Sequence, residues 1–319
     1  MQISGVDFLI TFTCTSRCKH CSYRAGPERI GVMNVFDAEQ WLRKLSETQE
    51  ITSLTIHGGE PFLYFDLLKE IIKRGRDLGI LRRWVITNGF WAKTNAIAEQ
   101  NLIELKEAGL TCMTFSVDAF HQEYVPLEHV RNGIMAATRF DFDKVCIDSY
   151  FVVAQNSNNR YDILTRQALE RLEVIENVTI NRYRVGLDGR GADHLVEFVD
   201  CQDEPPTGAC QLPSWLGGNL QSPGAIEIDC EGNVTLCPGI CIGNAQTQSL
   251  TDIVARYDYR KHPIIHTIAE EGPIGLLRQA RKRGYNNNTK FVNECHLCYE
   301  MRRVLHDFYP RQLAPQACY

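Results

Sequence analysis

Three cysteines near the N-terminus have a spacing suited to metal chemistry. Cys14-Thr-Ser-Arg-Cys18-Lys-His-Cys21 follows directly on an apolar run. Thiolates are the usual protein ligands of iron–sulfur clusters. Three of them leave one iron of a four-iron cluster open to a substrate-like molecule, whereas a fourth closes it. A zinc site, or three unrelated loop cysteines, would share the spacing. A second constellation lies far downstream: Cys210, then Cys237 at the end of Gly232-Asn-Val-Thr-Leu-Cys237, then the pair in Cys295-His-Leu-Cys298. Four thiolates can close an auxiliary [4Fe–4S] cluster or hold a structural zinc. Of the 13 cysteines, Cys112 and Cys146 fall in strand-like runs, where small buried thiols are ordinary. Cys241 follows closely on Cys237 and is a structural cysteine, a further ligand or a hydrogen-atom donor. Cys201, Cys230 and Cys318 read as structural.

Between the two groups lie short motifs, each at the end of an apolar run. His57-Gly-Gly-Glu-Pro61 pairs glycines that permit close backbone approach to a ligand with a carboxylate, Glu60, able to accept from an ammonium. Thr87-Asn88-Gly89 and Ser116-Val-Asp118 follow the next two runs; a tripeptide such as Thr-Asn-Gly is by itself a turn signal. Phe90-Trp91 and Phe120-His121 either line a cavity or pack loops onto a rim. Arg182, Arg184 and Arg190 are either anion ligands or solvated side chains.

These residues need a scaffold that brings loop ends together. Strand patterns cover residues 6–12, 51–56, 83–86, 112–117, 145–153 and 178–185. Helical patterns cover 38–45, 65–78, 96–107, 127–138 and 161–172. Strands alternating with helices imply an α/β fold with a parallel sheet. Six units are too few for an eight-fold barrel, so the expectation is a partial (β/α)6 TIM-type barrel with its site at the carboxyl ends of the strands. The character changes near Asp200: residues 203–206 and 211–224 are rich in Pro, Gly and Ser and read as linker and loop. A hairpin over 225–236 turns at Glu231-Gly232-Asn233, and a largely helical segment follows. This divides the chain into a barrel domain, 1–199, and a small α+β domain, 200–319.

Composition narrows the function class. The chain has 319 residues, a formal net charge of -5 and no long run of one sign, so no nucleic-acid partner is expected. No apolar stretch reaches the length of a membrane span, and no basic n-region marks a signal peptide. The expected location is cytoplasmic, where clustered cysteines stay reduced and hold metal.

The Cys14–Cys18–Cys21 spacing, with aromatic His20 before the last cysteine, resembles the signature of the radical S-adenosylmethionine (SAM) superfamily. The resemblance implies that the open iron chelates SAM and that the reduced cluster releases a 5′-deoxyadenosyl radical. A flavodoxin- or ferredoxin-type protein would donate the electron. By the same resemblance His20 lies near the adenine. Gly58, Gly59, Glu60 and Pro61 form the motif that holds the SAM amino group. Thr87, Asn88, Ser116 and Asp118 resemble the family positions that contact its ribose and carboxylate. The C-terminal cysteines, with Ile242-Gly-Asn244 and Ser249-Leu-Thr-Asp-Ile253, resemble the shortened "twitch" form of the SPASM domain. That implies an auxiliary [4Fe–4S] cluster rather than zinc.

Asn88-Gly-Phe-Trp91, Asp118-Ala-Phe-His121 with Tyr124-Val125, and Glu271-Gly272 are similar to the radical SAM peptide epimerases. Those epimerases place a donor cysteine directly after the hairpin ligand; here that position is Pro238. The resemblance therefore points to modification of a ribosomally made peptide by oxidation, crosslinking or epimerisation, with Cys241 as the substitute donor in the last case. The chain begins almost at its first strand, so leader recognition is expected from a separate protein or from the barrel surface. The cysteine layout also resembles the radical SAM aminocyclitol dehydrogenases, and a small-molecule dehydrogenase is the alternative.

Overall fold

Six short apolar runs become six parallel strands. They are β1 (Gly5–Leu9), β2 (Ser53–His57), β3 (Arg82–Thr87), β4 (Cys112–Ser116), β5 (Lys144–Phe151) and β6 (Thr179–Arg184). They lie side by side in chain order. The computed structural model describes residues 1–210 and 216–319, so the loop expected over 211–224 falls partly outside the described residues. Registers such as Ser53↔Arg82, Trp84↔Cys112 and Cys146↔Thr179 are all parallel. β6 ends the row without returning to β1, so this is the open, partial form of the barrel.

The helices between the strands are α1 (Val35–Ser46), α2 (Phe65–Asp77), α3 (Asn95–Ala108), α4 (Ala119–Gln122), α5 (Leu127–Ala137) and α6 (Arg160–Glu170). Local chemistry sets their ends. Asn34 and Thr94 cap α1 and α3 by accepting from Phe36 N and Ile97 N. α3 stops at Gly109, whose φ of 108° is left-handed. Each helix buries one face: α2 does so with Leu68, Ile71, Ile72 and Gly75. A Cβ at Gly75 would sit 2.8 Å from Leu54 of β2, so the glycine sets how closely helix and sheet approach. All five residues of β4 are buried, as a strand covered on both faces requires.

The C-terminal unit is built differently. β7 (Ala225–Asp229), β8 (Asn233–Cys237) and β9 (Ile240–Asn244) pair antiparallel. The β7–β8 turn closes because Asp229 Oδ1 accepts from Glu231 N and Asn233 N, at 2.8 and 2.9 Å. Among the described residues five α-helices accompany these strands: α7 (Gly189–His194), α8 (Leu250–Ala255), α9 (Pro263–Glu271), α10 (Pro273–Lys282) and α11 (Glu294–Leu305). β9, α4 and α7 were not expected from the sequence. They are short, and Gly243 interrupts the strand signal of β9.

Contacts divide the chain into two compact units. One comprises Val6–Cys18 and Ala25–Val185; the other comprises Met1–Gly5, Lys19–Arg24 and Gly186–Tyr319. The division falls at Val185/Gly186, where the sequence reading placed it at 199/200. The shift follows from α7, which packs with α11. Among the described residues no helix is long and apolar enough to cross a membrane.

Candidate functional site

In the barrel unit, one carboxylate joins the loops that leave β2 and β3. Glu60 is fully buried. Its Oε1 accepts from Thr87 Oγ1 at 2.8 Å and from Phe62 N at 3.1 Å, and its Oε2 accepts from Asn88 N at 2.8 Å. Burial raises its pKa to about 7, although the donors from Asn88, Phe62 and Thr87 pull it back. A carboxylate has about four acceptor positions. The chain's own donors fill three, which leaves room for one further N–H.

The two glycines before it serve an approach that the sequence reading had assigned to a ligand. A Cβ at Gly58 would lie 2.7 Å from Thr11 O, and one at Gly59 would lie 2.2 Å from Thr13 O. Without side chains, Gly59 N donates to Thr11 O at 2.6 Å and Glu60 N to Thr13 O at 2.9 Å. The partner is therefore the backbone of the loop that carries Cys14.

Asn88 continues this network into the cysteine loop. Its Nδ2 lies 3.0 Å from Thr15 Oγ1, 3.4 Å from Ser16 Oγ and 3.8 Å from Cys14 Sγ. Ser16 N also donates to Cys14 Sγ, at 3.4 Å. Two N–H groups thus face one sulfur. Thr87 Oγ1 accepts from Trp91 Nε1 at 3.1 Å, and Trp91 stacks on Phe62 with centroids 4.1 Å apart. Trp91 and Phe120 are buried, so they pack the rim rather than line a cavity.

Asp118 and His121 hold the next cysteine. Asp118 is fully buried, and its Oδ1 accepts from Phe120 N and His121 N at 3.0 Å each. His121 Nδ1 lies 2.9 Å from Asp118 Oδ2. Burial pulls the His121 pKa down, but Asp118 and the hydrogen-bonded Cys18 thiol hold it well above the ordinary histidine value. Tyr124 OH donates to Arg17 O at 3.2 Å and fixes the same loop. Cys14 and Cys18 are buried. Ser116, also buried, ends β4, and Pro61 opens a 3-10 turn over Pro61–Tyr64.

His20 and Cys21 belong to the segment Lys19–Arg24 of the other unit. There Ser22 Oγ donates to Asp188 Oδ1 at 2.9 Å, and Arg190 N donates to Cys21 O at 3.1 Å. A Cβ at Gly189 would lie 2.5 Å from the carbonyls of both Cys21 and Ser22.

The four downstream cysteines come together. Cys210, Cys237, Cys295 and Cys298 line one cavity of about 50 Å³ with Asp188, Ile240 and Arg302. Burial and the neighbouring sulfurs push Cys210 and Cys295 up to about 12, and burial raises Cys237 well above the ordinary thiol. Four converging sulfurs of this kind are poor free thiolates, and a metal centre that replaces their protons suits them. The donor set therefore fits an iron–sulfur cluster with four thiolate ligands. Cys241 is not in this cavity. Ile240 lines it, and successive strand residues point to opposite faces. Cys241 is buried in β9, and its Sγ–H donates to Gly243 O at 3.0 Å. Arg302, which sequence reasoning missed, was signalled by its position four residues after Cys298 on α11, on the same helix face.

Residues 8–164 match the Radical SAM superfamily, and residues 222–299 match SPASM, an iron–sulfur cluster-binding domain. The chain is 22% identical over 137 residues to the putative peptide biosynthesis protein YydG of Bacillus subtilis, covering 41% of each protein. It is 28% identical over 170 residues to a GTP 3′,8-cyclase of Lactiplantibacillus plantarum, covering 50% of this chain and 49% of that one. The aligned regions thus span less than half of either relative. Among solved structures, BtrN, determined with AdoMet and 2-DOIA, covers 86% of this chain and 89% of its own at 14% identity and a TM-score of 0.49.

Proposed function

As this chain is a radical SAM superfamily member carrying a SPASM iron–sulfur domain, we propose that it cleaves SAM reductively and takes a hydrogen atom from a ribosomally made peptide. The SAM-binding [4Fe–4S] cluster sits on Cys14, Cys18 and Cys21, and the auxiliary cluster on Cys210, Cys237, Cys295 and Cys298. Bound at the first site, the reduced cluster supplies the electron that breaks the SAM sulfonium bond.

The chain's own residues do the positioning. Asn88 and Ser16 N–H groups face the Cys14 sulfur, and the Asp118–His121 pair holds Cys18. Glu60 uses its one remaining acceptor position for the SAM ammonium. Thr87, Asn88, Ser116 and Asp118 stand at the neighbouring strand ends, where ribose and carboxylate contacts are needed, and His20 faces the adenine. The observation that carries this reading is the buried Glu60–Thr87–Asn88 network, which ties an acidic group to the cysteine loop.

Similarity to YydG, a putative peptide biosynthesis protein, supports a peptide substrate. Pro238 carries no transferable hydrogen, and Cys241 lies outside the four-thiol cavity. A net oxidation, losing two hydrogens, therefore suits the site better than epimerisation. The match to a GTP 3′,8-cyclase supports a second reading, a small-molecule substrate, for which the aminocyclitols expected from the cysteine layout are the first candidates.

The test is anaerobic turnover of reconstituted protein with SAM, dithionite and peptides encoded beside its gene. Stoichiometric 5′-deoxyadenosine and a peptide lighter by two hydrogens support the proposal. An unchanged peptide, with turnover of an aminocyclitol instead, favours the second reading. If the Cys14→Ala, Cys18→Ala, Cys21→Ala triple variant makes as much 5′-deoxyadenosine as the parent, the N-terminal assignment fails.

A further inference from the structure

We propose that Arg302 is the counter-charge of the auxiliary cluster and that its fixed guanidinium raises that cluster's reduction potential. This inference rests on Cys210, Cys237, Cys295 and Cys298 being the ligands.

A buried guanidinium is costly unless it is paired and hydrogen-bonded. Arg302 is only 2% exposed, yet the groups to which it donates hydrogen bonds are neutral. Its Nη1 donates to Pro238 O at 2.7 Å and to Tyr319 OH at 3.0 Å. The rings of Tyr299 and Tyr319 lie 5.7 Å from its central carbon. Its Nε is buried and finds no hydrogen-bond partner among the described residues. No carboxylate among them lies within ion-pair distance. Asp188 lines the same cavity, but its oxygen accepts from Ser22 Oγ.

What this guanidinium does face is the four-sulfur cavity. A thiolate-ligated cluster is anionic, and reduction adds another negative charge. A nearby fixed cation stabilises the reduced form more than the oxidised one. Hydrogen bonds to the sulfurs and the local charge are recognised determinants of cluster potential. The guanidinium is also held in place. Pro238 directly follows Cys237, and Tyr319, which holds Arg302, in turn donates to Gly239 O at 2.5 Å. The turn that carries one ligand thus fixes the charge that faces all four. Arg302 is a positioning and tuning residue, poised to favour electron acceptance by the auxiliary centre.

The test uses the full-length Cys14→Ala, Cys18→Ala, Cys21→Ala variant after anaerobic reconstitution, so that the auxiliary cluster is read alone. Its midpoint potential is measured by EPR-monitored redox titration, with and without Arg302→Gln or Arg302→Lys. Arg302→Gln should shift the one-electron reduction equilibrium at least tenfold toward the oxidised form, a fall of about 59 mV. Arg302→Lys should recover at least half of that, because it keeps the charge and loses only the planar fork. Iron uptake by the Lys variant but not the Gln variant also supports a counter-charge. An iron-loaded Gln variant at the parental potential overturns the proposal. So does a Lys variant as low as the Gln variant, or loss of iron in both, since packing would then explain the residue. If the parental triple variant holds zinc or no metal, the ligand assignment fails instead, and the inference falls with it.

Discussion

Glu60 makes the protonation state of the barrel site measurable without cofactor. Its folded pKa is about 7 against an ordinary 4.5. A raised acid pKa means that the folded state binds the proton more tightly. The stabilising contribution is therefore full below the ordinary value and is lost as pH rises through 7. At 1.36 kcal/mol per pKa unit the whole effect is about 3 kcal/mol, of which about 2 kcal/mol falls between about pH 5.5 and about pH 8.5. Glu60→Gln cannot ionise and lacks this slope. It also orphans a buried donor among Phe62 N, Thr87 Oγ1 and Asn88 N, a pH-independent cost of about 1–3 kcal/mol. Urea unfolding of both apo-proteins across this range should show the variant gaining about 2 kcal/mol relative to wild type as pH rises. Asp229, whose pKa burial also raises to about 7, titrates in both proteins and cancels in the difference. Parallel curves for the two proteins would refute a buried, proton-retaining Glu60. With cofactor added, the same variant should bind SAM more weakly by about 1.5–3 kcal/mol, measured anaerobically.

Asn88→Ala removes the amide that reaches Thr15, Ser16 and Cys14. Its iron content should fall from about eight towards about four per chain, with the auxiliary EPR signal intact; full iron retention would contradict the anchoring role. Gly59→Ala drives a Cβ to 2.2 Å from a backbone carbonyl. It should cost about 1–3 kcal/mol or more, read as a lower midpoint in thermal unfolding. Cys241→Ala should cost about 1 kcal/mol and leave the product unchanged. Turnover in deuterated water decides the matter: a parental product that gains one carbon-bound deuteron, lost in Cys241→Ala, would identify Cys241 as a hydrogen donor after all.

Much of the barrel was legible because its elements are strongly periodic. The run expected at 112–117 is β4, Cys112–Ser116, and that expected at 65–78 is α2, Phe65–Asp77. β9 was missed because Gly243 and the Pro238-Gly239 turn obscure a five-residue strand. The motif residues stood out in the sequence by their place at the ends of apolar runs, but their partners did not. Nothing local indicates that Gly59 meets Thr13, or that the Asn88 amide reaches Thr15, because those contacts depend on which strand ends become neighbours. The division at Val185/Gly186 was illegible for the same reason. Lys19–Arg24 joins the C-terminal unit through Ser22–Asp188 and Tyr23–Glu227 hydrogen bonds that span most of the chain. Arg302 was not singled out in the sequence, because its burial depends on the tertiary packing around α11.

The four-thiol cavity also bears on the lifetime of the chain in the cell. Its sulfurs come from a loop, the end of β8 and the first turn of α11. Fastening them to one centre closes two long stretches of backbone at once. Closure entropy grows slowly with length, so a clip across long segments removes a large share of the freedom of the unfolded chain. Metal affinity at such a site would count as folding free energy. With a cluster on those four sulfurs, iron supply would set how long the C-terminal unit stays closed to proteases.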